Sequence, residues 1–326
     1  MLRLTVRRES WPLAQPFVIS RGSRTTAEVV VAELVLGAHR GRGESVPYSR
    51  YGETVDGVVA AIEALAPAVA QGLDRAGLQA ALPPGAARNA VDAAFWDLEA
   101  KTSGKSVSRL AGIEPPRAVV TAYTLSLAEP EAMGRAAAEH AARPLLKLKL
   151  TGEGDLERVR AVRSAAPASR LIVDANEGWS AEHFERYALA LAELGVALIE
   201  QPLPAGHDDA LAELPHPVPV CADESCHTSE DVDALVGKYD VINVKLDKTG
   251  GLTEALSLVR AARAKGFRLM VGCMVGTSLA MAPACFLAQD AEFVDLDAPL
   301  LLAKDRQPGL RYDGSTVYPP KPALWG

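Results

Sequence analysis

Five short apolar runs in this chain each end on charged side chains: Leu146-Lys147-Leu148-Lys149, Ile172-Val173-Asp174, Leu198-Ile199-Glu200, Val220-Cys221-Ala222-Asp223 and Ile242-Asn243-Val244-Lys245. From Lys149 through Asp174, Glu200 and Asp223 to Lys245 the steps are 25, 26, 23 and 22 residues, the length of one strand, one helix and two loops. A βα unit is therefore repeated, with a charged group planted where each buried strand leaves the core. Residues 118–126, 145–150, 170–176, 197–202, 218–225, 241–246, 268–274 and 292–297 give eight candidate strands, the first seven each followed by helix-compatible sequence. Such alternation predicts parallel strands, and eight of them can close into a barrel whose active site lies at the C-terminal ends. After Asp297 the chain passes Pro299 and Pro308 with little helical pattern. The expected fold class is α/β, a (β/α)7β TIM-like barrel over residues 115–303.

The first part of the chain follows another rule. Residues 2–45 alternate in the β manner, as in Glu28-Val29-Val30-Val31-Ala32-Glu33, with turns at Gly37, Gly41 and Gly43. Residues 53–72 and 85–103 then carry apolar positions at helical spacing, among them Val58, Ile62, Leu65 and Val69, then Val91, Phe95 and Leu98. Strands followed by helices without alternation mark a separate α+β domain, here a capping domain over residues 1–114, joined by the returning tail 304–326. A chain of 326 residues suits a barrel with a smaller companion.

Charge and composition narrow the class of partner. A net charge of −7, with no Lys/Arg cluster interleaved with aromatics, argues against nucleic acid. No apolar run approaches the ~18 residues that span a bilayer. The start, Met1-Leu2-Arg3-Leu4-Thr5-Val6-Arg7-Arg8, lacks an apolar run after its charges and does not read as a signal peptide, so a cytoplasmic enzyme is expected. Cys221, Cys226, Cys273 and Cys285 show no C-x-x-C spacing and are expected to be reduced thiols.

The strand ends carry the chemistry. Asp174, Glu200 and Asp223 arrive from three consecutive strands, and three hard oxygen ligands at one barrel mouth suit Mg2+, whereas Zn2+ would call for His or Cys. Any one of them alone is better read as a cap or salt-bridge partner; three in register are not. Lys147 and Lys149 share a strand face, their Cα atoms about 6.6 Å apart. If that face is inward, like-charge repulsion, a nearby cation and desolvation are expected to lower the Lys149 pKa towards the ~7–8 useful in a general base. Lys245 ends the sixth strand, four strands from Lys149 and so on the opposite wall of an eight-stranded ring. Two amines facing each other across a bound substrate can invert a stereocentre. Lys248, beside Thr249-Gly250-Gly251, reads as a loop residue, and Gly152, Gly154, Gly250 and Gly251 as turn positions, since no P-loop pattern is present.

These residues also carry a resemblance. Trp11-Pro12-Leu13, Pro16-Phe17-Val18-Ile19, Arg21-Gly22-Ser23-Arg24 and Ala87-Arg88-Asn89-Ala90, with the K-x-K, D-x-N, E-Q-P and A-D-E-S motifs, resemble the enolase superfamily in its muconate-lactonizing-enzyme-like subgroup. So do Asn243-Val244-Lys245-Leu246-Asp247-Lys248-Thr249-Gly250-Gly251, Gly272-Cys273-Met274 and Asp295-Leu296-Asp297. Within that subgroup the chain is most similar to L-Ala-D/L-Glu dipeptide epimerases. The resemblance implies one Mg2+ per subunit on Asp174, Glu200 and Asp223, with Lys149 and Lys245 as the acid/base pair working through an enediolate; a Lys or His base with Mg2+ is taken over from the superfamily as a whole. It further implies Lys147 beside the substrate carboxylate, Asp295 and Asp297 around the dipeptide's α-ammonium group, and Thr124 and Cys273 near the substrate. Arg21 and Arg24, on a first-domain loop closing over the mouth, become candidates for the glutamate side-chain carboxylate, with Tyr48 and Tyr51 also bearing on specificity. A role in murein peptide recycling follows from the resemblance alone, and barrels of this kind often associate as homo-oligomers. The rival readings are an epimerase of other dipeptides, a cycloisomerase or o-succinylbenzoate-synthase-like enzyme, whose substrates would leave Asp295 and Asp297 without a cation, and a barrel that binds ligand without catalysis.

Overall fold

A computed structural model describes residues 1–326. The first three strands, β1 (Arg3–Ile19), β2 (Gly22–Leu36) and β3 (His39–Ser45), form an antiparallel meander. Their alternation works as the sequence requires: Val30, Ala32 and Leu34 turn to the helices α1 (Val55–Ala70), α2 (Arg75–Ala81) and α3 (Ala86–Ser103) in one core, while Val29 and Val31 turn to the barrel side in another. Gly41 and Gly43 bring the sheet hard against α3; a Cβ on either would stand 2.1 Å from a backbone oxygen of that helix. The helix α2 and a short α4 (Val107–Ala111) were not legible as periodic runs, each being less than three turns long.

The strand expected over 118–126 is two pieces. The first, β4 (Val119–Val120), pairs antiparallel with a tail hairpin made of β13 (Tyr312–Asp313) and β14 (Thr316–Val317), and only Tyr123–Leu125 (β5) joins the barrel. The remaining barrel strands are β6 (Leu145–Lys149), β7 (Arg170–Asp174), β8 (Val196–Glu200), β9 (Val220–Ala222), β10 (Val241–Val244), β11 (Arg268–Val271) and β12 (Phe293–Val294), parallel and in sequence order. Ala122 N–H donates to Val294 O across 2.8 Å, linking the last strand to the first. Helices α5 (Pro130–Glu139), α6 (Asp155–Ala165), α7 (Ala181–Glu193), α8 (Val232–Leu235), α9 (Leu246–Thr249), α10 (Leu252–Ala264), α11 (Ser278–Ala284) and α12 (Ala298–Leu301) lie in the connections. The fourth connection departs from the expected helix: it holds only a 3-10 turn, Asp209–Ala212, because Pro204 and Pro215 confine any helix to the ten residues between them, and Gly206, at a φ of 79°, shortens that run further.

Inside the ring, Ala122, Leu145, Ile172, Leu198, Cys221, Val241, Met270 and Phe293 form a separate apolar cluster with one side chain from each strand position. The intervening residues, such as Leu146, Leu148, Val173 and Ile199, pack outward in the larger core with the helices. The period of two in a strand thus sends the charged residues at 147, 149, 174, 200 and 223 inward above that apolar floor. No helix is long and apolar enough to cross a membrane.

Candidate active site

The mouth of the barrel and the tip of the β1–β2 hairpin enclose a cavity of about 310 Å³. Of the residues singled out from the sequence, Arg21, Arg24, Thr124, Lys147, Lys149, Asp223, Lys245, Cys273, Asp295 and Asp297 line it, together with Tyr48 and Tyr51. Asp174 and Glu200 lie beneath it, fully buried. Register explains the grouping: Lys149 pairs with Asp174 and Asp174 with Glu200 across adjacent strands, and Glu200 pairs with Cys221, two residues before Asp223.

The three buried lysines of the site are each met by carboxylates. Lys149 Nζ lies 2.5 Å from Asp174 Oδ2, and Lys245 Nζ 2.6 Å from Asp223 Oδ2. Lys147 Nζ sits 2.7 Å from Glu200, 2.8 Å from Asp295 and 3.4 Å from Asp174. Lys147 and Lys149 both reach Asp174 Oδ2, so the two ammonium groups stand close together on their shared face with a carboxylate between them. The charges closest to Lys147 are carboxylates, and although burial opposes its ionisation, Asp295, Glu200 and Asp174 raise its pKa well above the ordinary lysine value. Lys245 is treated the same way: burial acts downward, but Asp223 and Glu200 prevail and raise it. Asp174 is resisted by burial, yet Lys149, Lys147 and Lys245 draw it down to about 2. Burial and the negative charge of Asp174 push Glu200 up to about 7 despite the attraction of Lys147 and Lys245.

The fit to a metal can be judged from these oxygens. No three acidic, histidine or cysteine side chains are gathered into a ready ligand set, since the carboxylates are turned onto ammonium groups. Glu200 Oε2 and Asp223 Oδ1 are nevertheless buried without a hydrogen bond, although each is within ion-pair distance of a lysine, Lys147 and Lys248 respectively. Three buried carboxylates that repel one another, with incompletely satisfied oxygens and only oxygen donors, suit a hard divalent cation.

Several neighbours went unassigned in the sequence. Asn243, two residues before Lys245 and therefore on the same face, donates to Glu200 Oε1 at 2.8 Å; its period-two relation to Lys245 was a usable signal. Gly272 makes room for it, because a Cβ there would be 2.7 Å from Asn243 Oδ1 and 3.1 Å from Lys245 Cε. Lys248 is not a loop residue. It is buried on α9, donates to Cys226 O at 2.8 Å, Asn243 O at 3.1 Å and also Asp223 O, and lies 2.8 Å from Asp223 Oδ1. Gln201, at a strained φ of 35°, accepts from Asp223 N at 2.8 Å and Ser225 N at 3.1 Å.

The two first-domain arginines separate. Arg21, at the hairpin turn, is committed to protein groups: Asn176 O at 2.8 Å, Tyr48 OH at 2.9 Å, Glu224 Oε1 at 2.7 Å and Glu177 at 3.2 Å. Arg24 has only the Tyr48 ring, 5.3 Å away, and faces the cavity. At the last strand, Asp295 is occupied by Lys147, whereas Asp297 accepts from Thr124 N at 2.6 Å and is pushed up to about 7 by burial and by Asp295. Burial raises the Cys273 thiol well above its ordinary range, which keeps it protonated; all four cysteines are free.

Comparison with known proteins gives consistent matches along the chain. Residues 1–112 match the family described as "Mandelate racemase / muconate lactonizing enzyme, N-terminal domain", and residues 132–321 match "Enolase C-terminal domain-like". The L-Ala-D/L-Glu epimerase of Escherichia coli (strain K12) is 49% identical over 96% of this chain and 98% of its own. An N-acetyl-D-glutamate racemase of a Pseudoalteromonas species is 46% identical over 88% of this chain and 91% of its own. Among solved structures, an enolase family member from Agrobacterium tumefaciens with homology to dipeptide epimerases, carrying sodium and L-Ala-L-Glu, superposes with a TM-score of 0.99 at 56% identity, covering 100% of both chains.

Proposed function

We propose a function from one premise: the chain belongs to the enolase superfamily, in its mandelate racemase/muconate lactonizing enzyme branch. It is an isomerase that inverts the glutamate α-carbon of L-Ala-D-Glu and L-Ala-L-Glu. The observation that carries this reading is the placement of Lys149 and Lys245, four strands apart in the ring, lining one cavity and paired with different carboxylates. A neutral amine on one side takes the α-proton, and the C–H electron pair passes into a planar enediolate. The ammonium on the other side then returns a proton to the opposite face, so the two lysines exchange protonation states and no redox partner is needed.

Asp174, Glu200 and Asp223 would hold one Mg2+. When bound, it supplies positive charge beside the substrate carboxylate, where negative charge accumulates as the proton leaves. Asp297, with its pKa near neutrality, and Thr124 stand where the dipeptide's amino end would be bound. Asp295 acts with Lys147, each holding the other in place. Arg24 is the free cation for the glutamate side chain, while Arg21 ties the hairpin to the barrel. Cys273 forms wall. A cytoplasmic role in recycling murein peptides belongs to the same reading.

The relative acting on N-acetyl-D-glutamate supports a second reading, racemisation of an N-acylated glutamate. Both substrates share the glutamate end that Arg24 would meet, and they differ at the nitrogen end near Asp297. The test is incubation in D2O with Mg2+ and either L-Ala-L-Glu or N-acetyl-D-glutamate, followed by NMR. An epimerase of dipeptides incorporates deuterium at the Glu α-carbon of L-Ala-L-Glu and yields the other diastereomer. Turnover of only the N-acetyl substrate would replace the first reading with the second, and deuterium in neither would remove both.

A further inference from the structure

We infer that Arg88, Asn89 and Asp92 of the first domain, with Gly250 and Gly251 of the barrel, form a joint whose function is to position Lys245, and Lys245 alone of the two lysines. This rests on the two-base reading above. The Ala87-Arg88-Asn89-Ala90 motif stands out in the sequence, yet none of its side chains reaches the cavity. Its partners show what it does.

Lys245 is the last extended residue before α9, so the placement of α9 sets the direction from which its side chain enters the mouth. Asn89 Nδ2 donates to Asp247 Oδ1 at 2.9 Å, and the same oxygen accepts from Val46 N at 2.9 Å. Arg88 closes the other end of the helix, donating to Thr249 O at 2.7 Å and Gly250 O at 3.2 Å, carbonyls at or just beyond its final turn. Asp92 then receives Thr253 N at 3.1 Å and Thr253 Oγ1 at 2.5 Å, holding the first turn of α10.

The glycines are the other half of the device. A Cβ on Gly250 would stand 2.4 Å from Arg88 Nε, and one on Gly251 2.5 Å from Asp92 Cβ. Both also have positive φ, 76° and 114°. Two successive glycines thus let α3 approach the segment after Lys245 closely enough for three side chains of consecutive turns to grip it. Lys149 has no counterpart: the segment after it is held by Asp155 of the barrel itself, which accepts from Thr151 N and Gly152 N.

The two lysines therefore depend on different parts of the molecule, and exchange kinetics can separate them. Lys245→Ala and Lys149→Ala first establish which epimer each amine deprotonates, by deuterium wash-in from L-Ala-L-Glu and from L-Ala-D-Glu. Asn89→Ala is expected to slow exchange of the epimer served by Lys245 by about 10- to 100-fold, the cost of misplacing a reacting group by roughly an ångström. Exchange of the other epimer should be unchanged, which doubles as a control for folding and metal loading. Asp247→Asn keeps an acceptor for Asn89 and should leave both exchanges near wild type. Equal loss for both epimers in Asn89→Ala, or loss for neither, overturns the inference while the two-base reading stands. Absence of exchange in the wild-type protein overturns that reading and the inference with it.

Discussion

The eight residues of the barrel floor and the eight residues two positions further along the same chain segments share backbone direction, neighbours and dryness. Ala122, Leu145, Ile172, Leu198, Cys221, Val241, Met270 and Phe293 make the floor. Adding two to each gives Thr124, Lys147, Asp174, Glu200, Asp223, Asn243, Gly272 and Asp295, all of them buried. A single step of the strand period converts an apolar cluster into the charged layer of the site. The floor is stabilised by burial and close packing. The layer above must recover the cost of dehydrating its charges through ion pairs such as Lys147 with Glu200 and Asp295, and such pairs rarely gain more than that cost. Stability is thus concentrated at one level and chemistry at the next.

Substitutions can break this division, beginning with the floor. Phe293→Ala should lower unfolding free energy by about 3–5 kcal/mol, measured in denaturant, while kcat of the molecules that remain folded stays near wild type. A parallel collapse of kcat would mean that the floor also shapes the site. Glu200→Gln should do the reverse. It removes a buried negative charge that repels Asp174, leaves Lys147 its partners Asp295 and Asp174, and keeps an acceptor for Asn243, so the melting temperature without metal should hold or rise. Its Mg2+ affinity by calorimetry should fall by at least ~10-fold; unchanged affinity would take Glu200 out of the ligand set.

The smallest effect concerns the joint between the domains. Asp247 is 5% exposed, and burial, with Glu53 and Glu44 nearby, pushes its pKa up to about 7 against the bonds from Val46 N and Asn89. A folded-state pKa above the unfolded value of ~3.9 means stability that is complete below that value and lost as pH rises through about 7. Asp247→Asn cannot ionise, so its melting temperature relative to wild type should increase from pH 5 to pH 8. A difference that does not change with pH would show that Asp247 keeps one protonation state throughout.

Some of this is legible in the sequence alone. The period-two placement of Lys147, Lys149 and Asp174 followed from apolar neighbours that had to face the helices. The helices α1 and α3 followed from long amphipathic runs. Shorter elements were hidden: the split of the first barrel strand depends on a tail hairpin nearly 200 residues away in sequence. Lys248 reads as a loop residue because it lies beyond the apolar run and beside Thr249-Gly250-Gly251, while the Asp223 and Cys226 carbonyls that hold it lie on another segment.

What the sequence determined by itself was the repeat, the face on which each charged residue stands, and hence the inventory of acids and amines at one barrel mouth, because strand periodicity and burial act over neighbouring residues. Only the tertiary structure decided which acid holds which lysine, which of Arg21 and Arg24 is free, and why two glycines follow Lys248-Thr249. Those outcomes depend on contacts a few ångströms long between segments from 22 to 203 residues apart, and no local pattern encodes a distance of that kind.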